Sequence, residues 1–196
     1  MTLTIDNSAA RRAMIDSQLR VSSVNDERVL AAMAAVARED HVPAAARGHA
    51  YIDRAIALGN GRALPAPLVQ GMMLAEADLR SDDQVLVVSS GSGYLAALAA
   101  RLAGRVESID AAEAASLKRG IGHFSVILID GAIEHLPDGL SAELVEGGRI
   151  VTGLVERGVT RLASGRKLGG AVAMLPLAEI GIPVLAEFAA PKTWSF

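Results

Sequence analysis

The segment from Gln84 to Leu102 constrains the fold of this chain more than any other stretch. It begins with a continuous apolar run, Val85 to Val88, continues through a tight turn of small residues and enters an alanine-rich helix at about Gly93. A continuous apolar run bounded by turn residues is typical of a central parallel strand that is covered on both faces. The segment therefore predicts an α/β fold built on a parallel sheet.

The turn after this strand and the end of the next strand are suited to binding a nucleoside. Glycine lets the backbone approach a ligand closely, and the first N–H groups of the following helix are free to donate hydrogen bonds. A second short strand ends in Asp110, whose carboxylate can accept hydrogen bonds from a ribose. The pattern indicates a nucleoside-cofactor site. The alternative is that Gly91 and Gly93 form a strand-to-helix turn that binds nothing.

Composition excludes several classes of function. The chain has 196 residues and no cysteine, so disulfides, thiol catalysis and zinc–thiolate sites are excluded. A net charge of -3 without a basic stripe, together with only 3% aromatic residues, argues against a nucleic-acid partner. The apolar runs are too interrupted for a membrane span, and the N-terminus lacks the apolar core of a signal peptide. We expect a cytoplasmic protein.

About eighty residues precede the first sheet strand, and they are predicted to form a helical cap. The pattern of apolar residues predicts three helices, over about residues 9–20, 27–40 and 67–79. The segment between the second and third helices is dense in Pro, Gly and Ala and is expected to be a loop. We expect a single domain over residues 1–196, with the cap in residues 1–80 and a Rossmann-like core in residues 81–196.

The rest of the core is predicted to be shorter than a standard doubly wound sheet. Only thirteen residues separate Asp110 from the next buried strand, Phe124 to Asp130. This length suffices for one helical crossover but not for a helix, a strand and another helix. The third strand is therefore expected to be absent. Beyond a strand at Arg149 to Leu154, tandem glycines and alternating residues predict antiparallel strands at the C-terminal edge.

The order of these landmarks resembles the protein-L-isoaspartate (D-aspartate) O-methyltransferases, a family of Rossmann-like enzymes that use S-adenosylmethionine. The similarity runs through nearly the whole chain. It is carried by VNDERVLAAMAAVARED, HAYIDRAIALGNGRALPAP, VLVVSSGSGYLAALAARL with VESID, EGGRIVTGL and LPLAEIGIPVLAEFAAPKTWSF. A helical preamble that ends in a proline-flanked loop, followed by a GSGY turn, is a fairly specific combination.

The resemblance implies where cofactor and substrate bind. The turn would hold the methionine end of S-adenosylmethionine, and Asp110 would hold its ribose hydroxyls. The loop before the third helix would close over the cofactor and an isoaspartyl substrate. The site residues expected on this basis are Ser89, Ser90, Gly91, Ser92, Gly93, Tyr94 and Asp110 for the cofactor, and Leu64, Pro65, Ala66 and Pro67 for the substrate.

Asp130 is a further candidate for the cofactor site. It is expected to end a buried strand at the carboxyl edge of the sheet, where ligands of open α/β sheets bind. The alternative is that Asp130 caps a helix or a turn. The four histidines are far apart and lack ligand spacing, so no metal site is expected.

The resemblance also implies a reaction, the methylation of isoaspartyl carboxylates in aged proteins. The product ester would cyclise to a succinimide and reopen partly as normal aspartate, which repairs the protein. A carboxylate with a pKa near 4 is already ionised at neutral pH and needs no general base. Catalysis is then mainly alignment, and no single catalytic residue is expected. The implied partners are isoaspartyl proteins or peptides.

A non-catalytic methyltransferase-like protein is the main alternative function. Members of the family have an acidic residue, a glycine and a serine where this chain has Val87, Ser89 and Pro65. The third strand, which the chain is expected to lack, helps to hold adenine in the family. Such a relative would bind a partner or form an oligomer through the exposed edge of its sheet.

A nicotinamide-dependent reductase is a further alternative. Gly91, Gly93, Ala96 and Asp110 satisfy the dinucleotide-binding fingerprint. Reductases of this kind generally begin with the fingerprint strand, whereas a long helical cap precedes it here. The chain also lacks the pair of Tyr and Lys, four residues apart, that is typical of short-chain reductases.

Overall fold

The cap consists of short helices that lead into a small hairpin and a longer helix. The structure is a computed structural model that describes residues 7–118 and 123–190. The helical elements of the cap are α1 (Ser8–Met14), a π-helical turn (Ile15–Leu19), a 3₁₀ turn (Arg20–Ser22), α2 (Glu27–Ala35), two further 3₁₀ turns (Arg38–His41 and Ala44–His49) and α3 (Pro67–Ala77). The three predicted helices are present, although the second ends earlier than expected.

A β-hairpin lies where the sequence was expected to form a loop. Strands β1 (Ile56–Gly59) and β2 (Arg62–Leu64) pair in antiparallel fashion. The two linking residues, Asn60 and Gly61, have φ angles of 52° and 75°. Positive φ at both positions is the geometry of a type I′ turn, for which Asn-Gly is the preferred sequence. The dipeptide is therefore the sequence feature that would have revealed this hairpin.

The core of the molecule is a six-stranded mixed sheet. Its strands are β3 (Gln84–Ser89), β4 (Arg105–Asp110), β5 (Phe124–Ile133), β6 (Leu144–Glu156), β7 (Val159–Leu168) and β8 (Ala171–Glu179). They lie in the order β4-β3-β5-β6-β7-β8. The first four strands in this order are parallel, and β7 and β8 extend the sheet in antiparallel fashion. The expected α/β class and the antiparallel C-terminal edge are confirmed.

The sheet ends at β4 within the described part of the chain. Between β4 and β5 the described residues form one helix, α5 (Ala111–Ser116), and no strand. Among the residues that the structure describes, β4 pairs with β3 alone, and most of its side chains are exposed. The expectation that the third strand of a doubly wound sheet is absent holds for these residues.

Two apolar clusters cover the two faces of the sheet. Alternation along β3 sends Val85 and Val87 to one face and Leu86 and Val88 to the other. The first cluster also contains α4 (Tyr94–Ala99) and the cap, so cap and sheet share one core. The second contains residues of α5, α6 (Asp138–Ala142) and a 3₁₀ turn at Ala186–Phe188. Over residues 7–118 and 123–190, no helix has the length and apolarity needed to cross a membrane.

Candidate functional site

The glycine turn between β3 and α4 has the backbone geometry that its sequence requires. Gly91 and Gly93 have φ angles of 105° and 70°, in the region that side-chain-bearing residues rarely adopt. The Oγ of Ser89 accepts a hydrogen bond from the N–H of Gly91 at 3.0 Å. The Oγ of Ser92 accepts one from the N–H of Tyr94 at 3.1 Å. Two N–H groups of the turn are thus paired with the turn's own serines.

A cleft of about 510 Å³ lies at the carboxyl edge of the sheet, beside this turn. Its lining residues are Leu58, Gly59, Asn60, Arg62, Ser90, Gly91, Asp110 and Glu187. The cleft brings together three of the residues that were expected to bind the cofactor, Ser90, Gly91 and Asp110. The β1–β2 hairpin and the 3₁₀ turn near the C-terminus form its other walls. Sequence reasoning placed neither of these at the site.

Asp110 ends β4, as expected, and its carboxylate already has partners. Arg62 donates two hydrogen bonds to it, from Nη1 to Oδ2 at 2.6 Å and from Nη2 to Oδ1 at 2.9 Å. The N–H of Ala112 donates a third at 2.9 Å, which caps α5. The bonds from Arg62, and then the one from Ala112, lower the pKa of Asp110 below its ordinary value. The side chain is therefore an ionised acceptor at neutral pH.

Asp130 lies inside β5 and not at its end, so that part of the prediction is wrong. Pairing of β5 with β3 does stop at Ile129. The strand continues because its ladder with β6 has an irregularity after Leu128 and then resumes. The backbone of Ala132 also forms hydrogen bonds with Pro183 and Leu185, and these bonds stabilise the part of β5 beyond Asp130.

The buried Asp130 carboxylate is hydrogen-bonded to the glycine turn from the protein interior. It is 1% exposed and accepts hydrogen bonds from Ser90 Oγ at 2.6 Å and from Gln70 Nε2 at 2.8 Å. Burial raises the pKa of Asp130 above its ordinary value, and the two hydrogen bonds oppose that rise. Because the group lies in the interior, its geometry fits support of the turn. Direct contact with a cofactor stays a prediction.

A buried arginine extends this interaction into the cap. Arg38 is fully buried and donates to Gln70 Oε1 at 2.6 Å, to the carbonyl of Pro65 at 2.5 Å and to the carbonyl of Ala50 at 2.8 Å. We call Arg38, Gln70, Asp130 and Ser90 the buried network. It connects the predicted substrate loop to the glycine turn through side chains alone. Sequence reasoning missed it because its members are scattered over four separate stretches of the chain.

The predicted substrate loop is largely packed. Leu64, Pro65 and Pro67 are buried and Ala66 is half-buried. Pro67 opens α3, a position that suits proline because its missing N–H would be unpaired there in any case. None of the four residues is among those that line the cleft described above. Their role in substrate binding stays a prediction.

Tyr94 is a core residue at the start of α4. Its ring is fully buried, meets the His41 ring edge-on at a centroid distance of 5.3 Å and lies 4.9 Å from the Arg38 guanidinium. Burial raises the pKa of the Tyr94 hydroxyl to about 12, so it stays protonated. His41 Nδ1 is 3.0 Å from the carbonyl oxygen of Ser92 and thereby braces the turn. Among the described residues, no three His, Asp or Glu side chains are grouped as a metal site would require.

A second cleft of about 510 Å³ lies on the sheet face beside α5. Its apolar lining consists of Leu86, Ile109, Leu117 and Phe124. It contains none of the residues predicted for cofactor or substrate. The cleft next to the glycine turn is therefore the candidate site.

The fold and the site together define a class of protein. A glycine turn after the central strand, a carboxylate at the end of the neighbouring strand and an antiparallel sheet edge are the features of a Rossmann-like methyltransferase. Two solved structures share this fold. One is a Plasmodium falciparum protein described as a candidate protein-L-isoaspartate O-methyltransferase, in complex with S-adenosyl-L-homocysteine; it has a TM-score of 0.73 and 17% identity, with 92% of this chain and 98% of that chain covered.

The chain belongs to the protein-L-isoaspartate (D-aspartate) O-methyltransferase family. Residues 9–118 match the profile of that family. The protein-L-isoaspartate O-methyltransferase of Methanoculleus marisnigri is 31% identical, with 91% of this chain and 92% of the relative covered. The enzyme of the same name from Roseiflexus castenholzii is 34% identical, with 75% and 78% covered. A second solved protein-L-isoaspartate O-methyltransferase has a TM-score of 0.70 at 14% identity and covers 93% of this chain and 67% of that chain. The family uses S-adenosylmethionine as its cofactor.

Proposed function

We propose that this chain transfers a methyl group from S-adenosylmethionine to isoaspartyl carboxylates of aged proteins in the cytoplasm. The observation that supports the proposal most is the cleft that joins the glycine turn to Asp110, in a chain of a family that performs this reaction. A structural neighbour with the same fold was solved with S-adenosyl-L-homocysteine, the demethylated cofactor. The proposal names isoaspartyl proteins and peptides as partners.

The residues around the cleft fit a nucleoside cofactor. A cavity of about 510 Å³ is in the usual range for small-molecule sites. A methyl group placed on Gly91 would meet only flexible side chains, the nearest being Arg62 Cδ at 3.6 Å and Leu58 Cδ1 at 3.9 Å. The backbone of the turn is therefore accessible from the cleft. Asp110 supplies an ionised acceptor for hydroxyl groups.

The chemistry places few demands on individual side chains. When bound, S-adenosylmethionine supplies an electrophilic methyl group on a sulfonium sulfur. The substrate carboxylate is ionised at neutral pH, so the chain need not remove a proton. What the protein must do is align the reacting atoms and exclude water.

The buried network supports such alignment. Arg38 holds the Pro65 carbonyl of the predicted substrate loop, and Asp130 holds Ser90 of the turn. Gln70 joins the two through a hydrogen bond at each end of its amide. The loop and the turn are therefore held in a fixed relation to each other. This is a positioning function, because none of these side chains needs to touch a reacting atom.

A non-catalytic relative is the second candidate function. Two observations favour it. Ser89 stands where the family has glycine, and its hydroxyl oxygen accepts the hydrogen bond of the Gly91 N–H. Arg62 takes up both carboxylate oxygens of Asp110. In such a protein the cleft would keep its shape, but its hydrogen-bonding groups would be paired with the protein's own side chains.

Methyl transfer can be measured directly. The protein is incubated with radiolabelled S-adenosylmethionine and an isoaspartyl peptide, with the matching aspartyl peptide as control. We expect label in the isoaspartyl peptide alone and a calorimetric heat for S-adenosyl-L-homocysteine. Cofactor binding without transfer would favour the non-catalytic relative. No transfer and no heat would refute the enzyme, and a heat for a nicotinamide cofactor instead would point to a reductase.

A further inference from the structure

The contact between Arg62 and Asp110 spans the cleft in which the cofactor is proposed to bind. Arg62 is the first residue of β2, immediately after the type I′ turn, and its side chain is 21% exposed. Its Cδ lies 3.6 Å from the position that a Cβ on Gly91 would take. Its guanidinium makes a two-bond pair with the Asp110 carboxylate. The side chain thus lies between the glycine turn and the residue expected to bind ribose.

A second carboxylate holds the same guanidinium. Arg62 Nη2 donates a hydrogen bond at 2.6 Å to Oε1 of Glu187, which lies in the 3₁₀ turn at Ala186–Phe188. Glu187 is 25% exposed and lines the same cleft. If Arg62 released Asp110, it would keep this partner and would not be left as an unpaired charge. Release therefore needs only a change of side-chain rotamer.

We propose that Arg62 is an internal competitor for Asp110 that sets the affinity of this chain for its cofactor. In the free protein Arg62 occupies the carboxylate, and in the complex Arg62 pairs with Glu187 while the ribose hydroxyls take its place on Asp110. The proposal rests on the proposed function and concerns the regulation of the same site. It assigns Arg62 a role in affinity and none in the chemistry of transfer.

The strength of the ion pair suits a reversible competitor. Asp110 is 52% exposed, so water and salt weaken its attraction to Arg62. The apparent affinity of a site falls in proportion to the fraction of molecules that are competent to bind. If Arg62 holds Asp110 in about 70–90% of free molecules, its removal tightens binding by roughly threefold to tenfold.

The test compares cofactor affinity in matched variants of the full chain. S-adenosyl-L-homocysteine serves as the probe in titration calorimetry, because it carries no net charge at neutral pH. We expect Arg62→Gln to bind it about threefold to tenfold more tightly than the unmodified chain, and Arg62→Lys to lie between the two. Arg157→Gln makes the same change at an exposed arginine between β6 and β7, away from the cleft, and should leave the affinity unchanged.

Ionic strength provides a second readout that a merely structural role for Arg62 would not move. Because salt screens exposed ion pairs, affinity in the unmodified chain should rise between low and high salt. In Arg62→Gln the affinity should change little over the same range. A crystal structure of the complex should show Arg62 on Glu187 and the ligand hydroxyls on Asp110.

The failure of this proposal and the failure of the proposed function give different results. If the unmodified chain binds the probe and Arg62→Gln binds it equally or less well, the competitor is refuted and cofactor binding stands. If neither protein binds the probe at millimolar concentration, cofactor binding is refuted, and the role of Arg62 is refuted with it. Tighter binding by Arg62→Gln without tighter binding by Arg157→Gln supports the proposal.

Discussion

Replacement of Arg38 by methionine should strongly destabilise the protein. The change removes three hydrogen bonds, to the side chain of Gln70 and to the carbonyls of Ala50 and Pro65. A buried polar group that loses its partner costs about 1–3 kcal/mol. Three buried acceptors would lose their charged donor together. Methionine fills part of the volume, so we expect a loss of about 3–5 kcal/mol out of a typical total of about 5–15 kcal/mol.

Urea unfolding monitored by circular dichroism measures this loss. Arg47→Met makes the same change at an exposed arginine of the cap and should alter the free energy of unfolding by less than about 0.5 kcal/mol. The double variant Arg38→Met with Asp130→Asn should lose less than the two single variants together. The reason is that Gln70 links the two side chains, so each single change already disturbs hydrogen bonds that the other change removes. A loss below about 1 kcal/mol for Arg38→Met, or strict additivity in the double variant, would refute this view of the network.

Three further predictions concern stability. Asp83 accepts a hydrogen bond from Arg149 at 2.6 Å; burial raises the pKa of Asp83, but this bond and others outweigh it and lower the pKa below its ordinary value. The stabilisation by ionised Asp83 is therefore present above the ordinary pKa of aspartate and is lost as the pH falls through the lowered value. Asp83→Asn should cost about 1–3 kcal/mol at pH 7 and clearly less near pH 3, and an equal cost at both would contradict the ion pair. Gly131→Ala should cost about 1–3 kcal/mol of stability, because the new methyl group would lie 2.6 Å from Leu185 Cγ. Gly181→Ala is the control, because a methyl group there meets nothing within 4 Å and should cost little. Similar unfolding midpoints in urea for the two variants would contradict tight packing around Gly131. Because cap and sheet share one apolar cluster, we propose that they form one domain and unfold in a single transition, so two separate transitions by fluorescence and circular dichroism would contradict it.

The sheet and the glycine turn were predictable because their physical causes are local. An apolar run of the right length forms a buried strand, and the turn requires positive φ at Gly91 and Gly93. The antiparallel edge followed from alternation and tandem glycines. That the described residues between β4 and β5 form no third strand followed from chain length, since thirteen residues cannot form two helices and a strand.

What sequence reasoning missed depends on contacts between distant residues. Arg62 and Asp110 are 48 positions apart, and nothing near either residue indicates that they meet. The buried network joins positions 38, 70, 90 and 130, and no local sequence pattern marks any of these residues as a member of a network. The position of Asp130 inside β5 depends on the segment near Val184, which pairs with the strand beyond it. The hairpin is different, because Asn60-Gly61 was a local indication that could have been used.

The position of β4 at the end of the sheet has a consequence for behaviour at high concentration. An edge strand presents a row of unpaired backbone groups to which a strand of another molecule can add. Strand β4 has only six residues, and its exposed side chains include Arg105 and Glu107, which form an ion pair with each other. Short length and charge both oppose the addition of a strand. We therefore expect Arg105 and Glu107 to oppose aggregation through this edge. Apolar replacements at the two positions should promote the addition of a strand from another molecule while leaving the fold and the cleft intact.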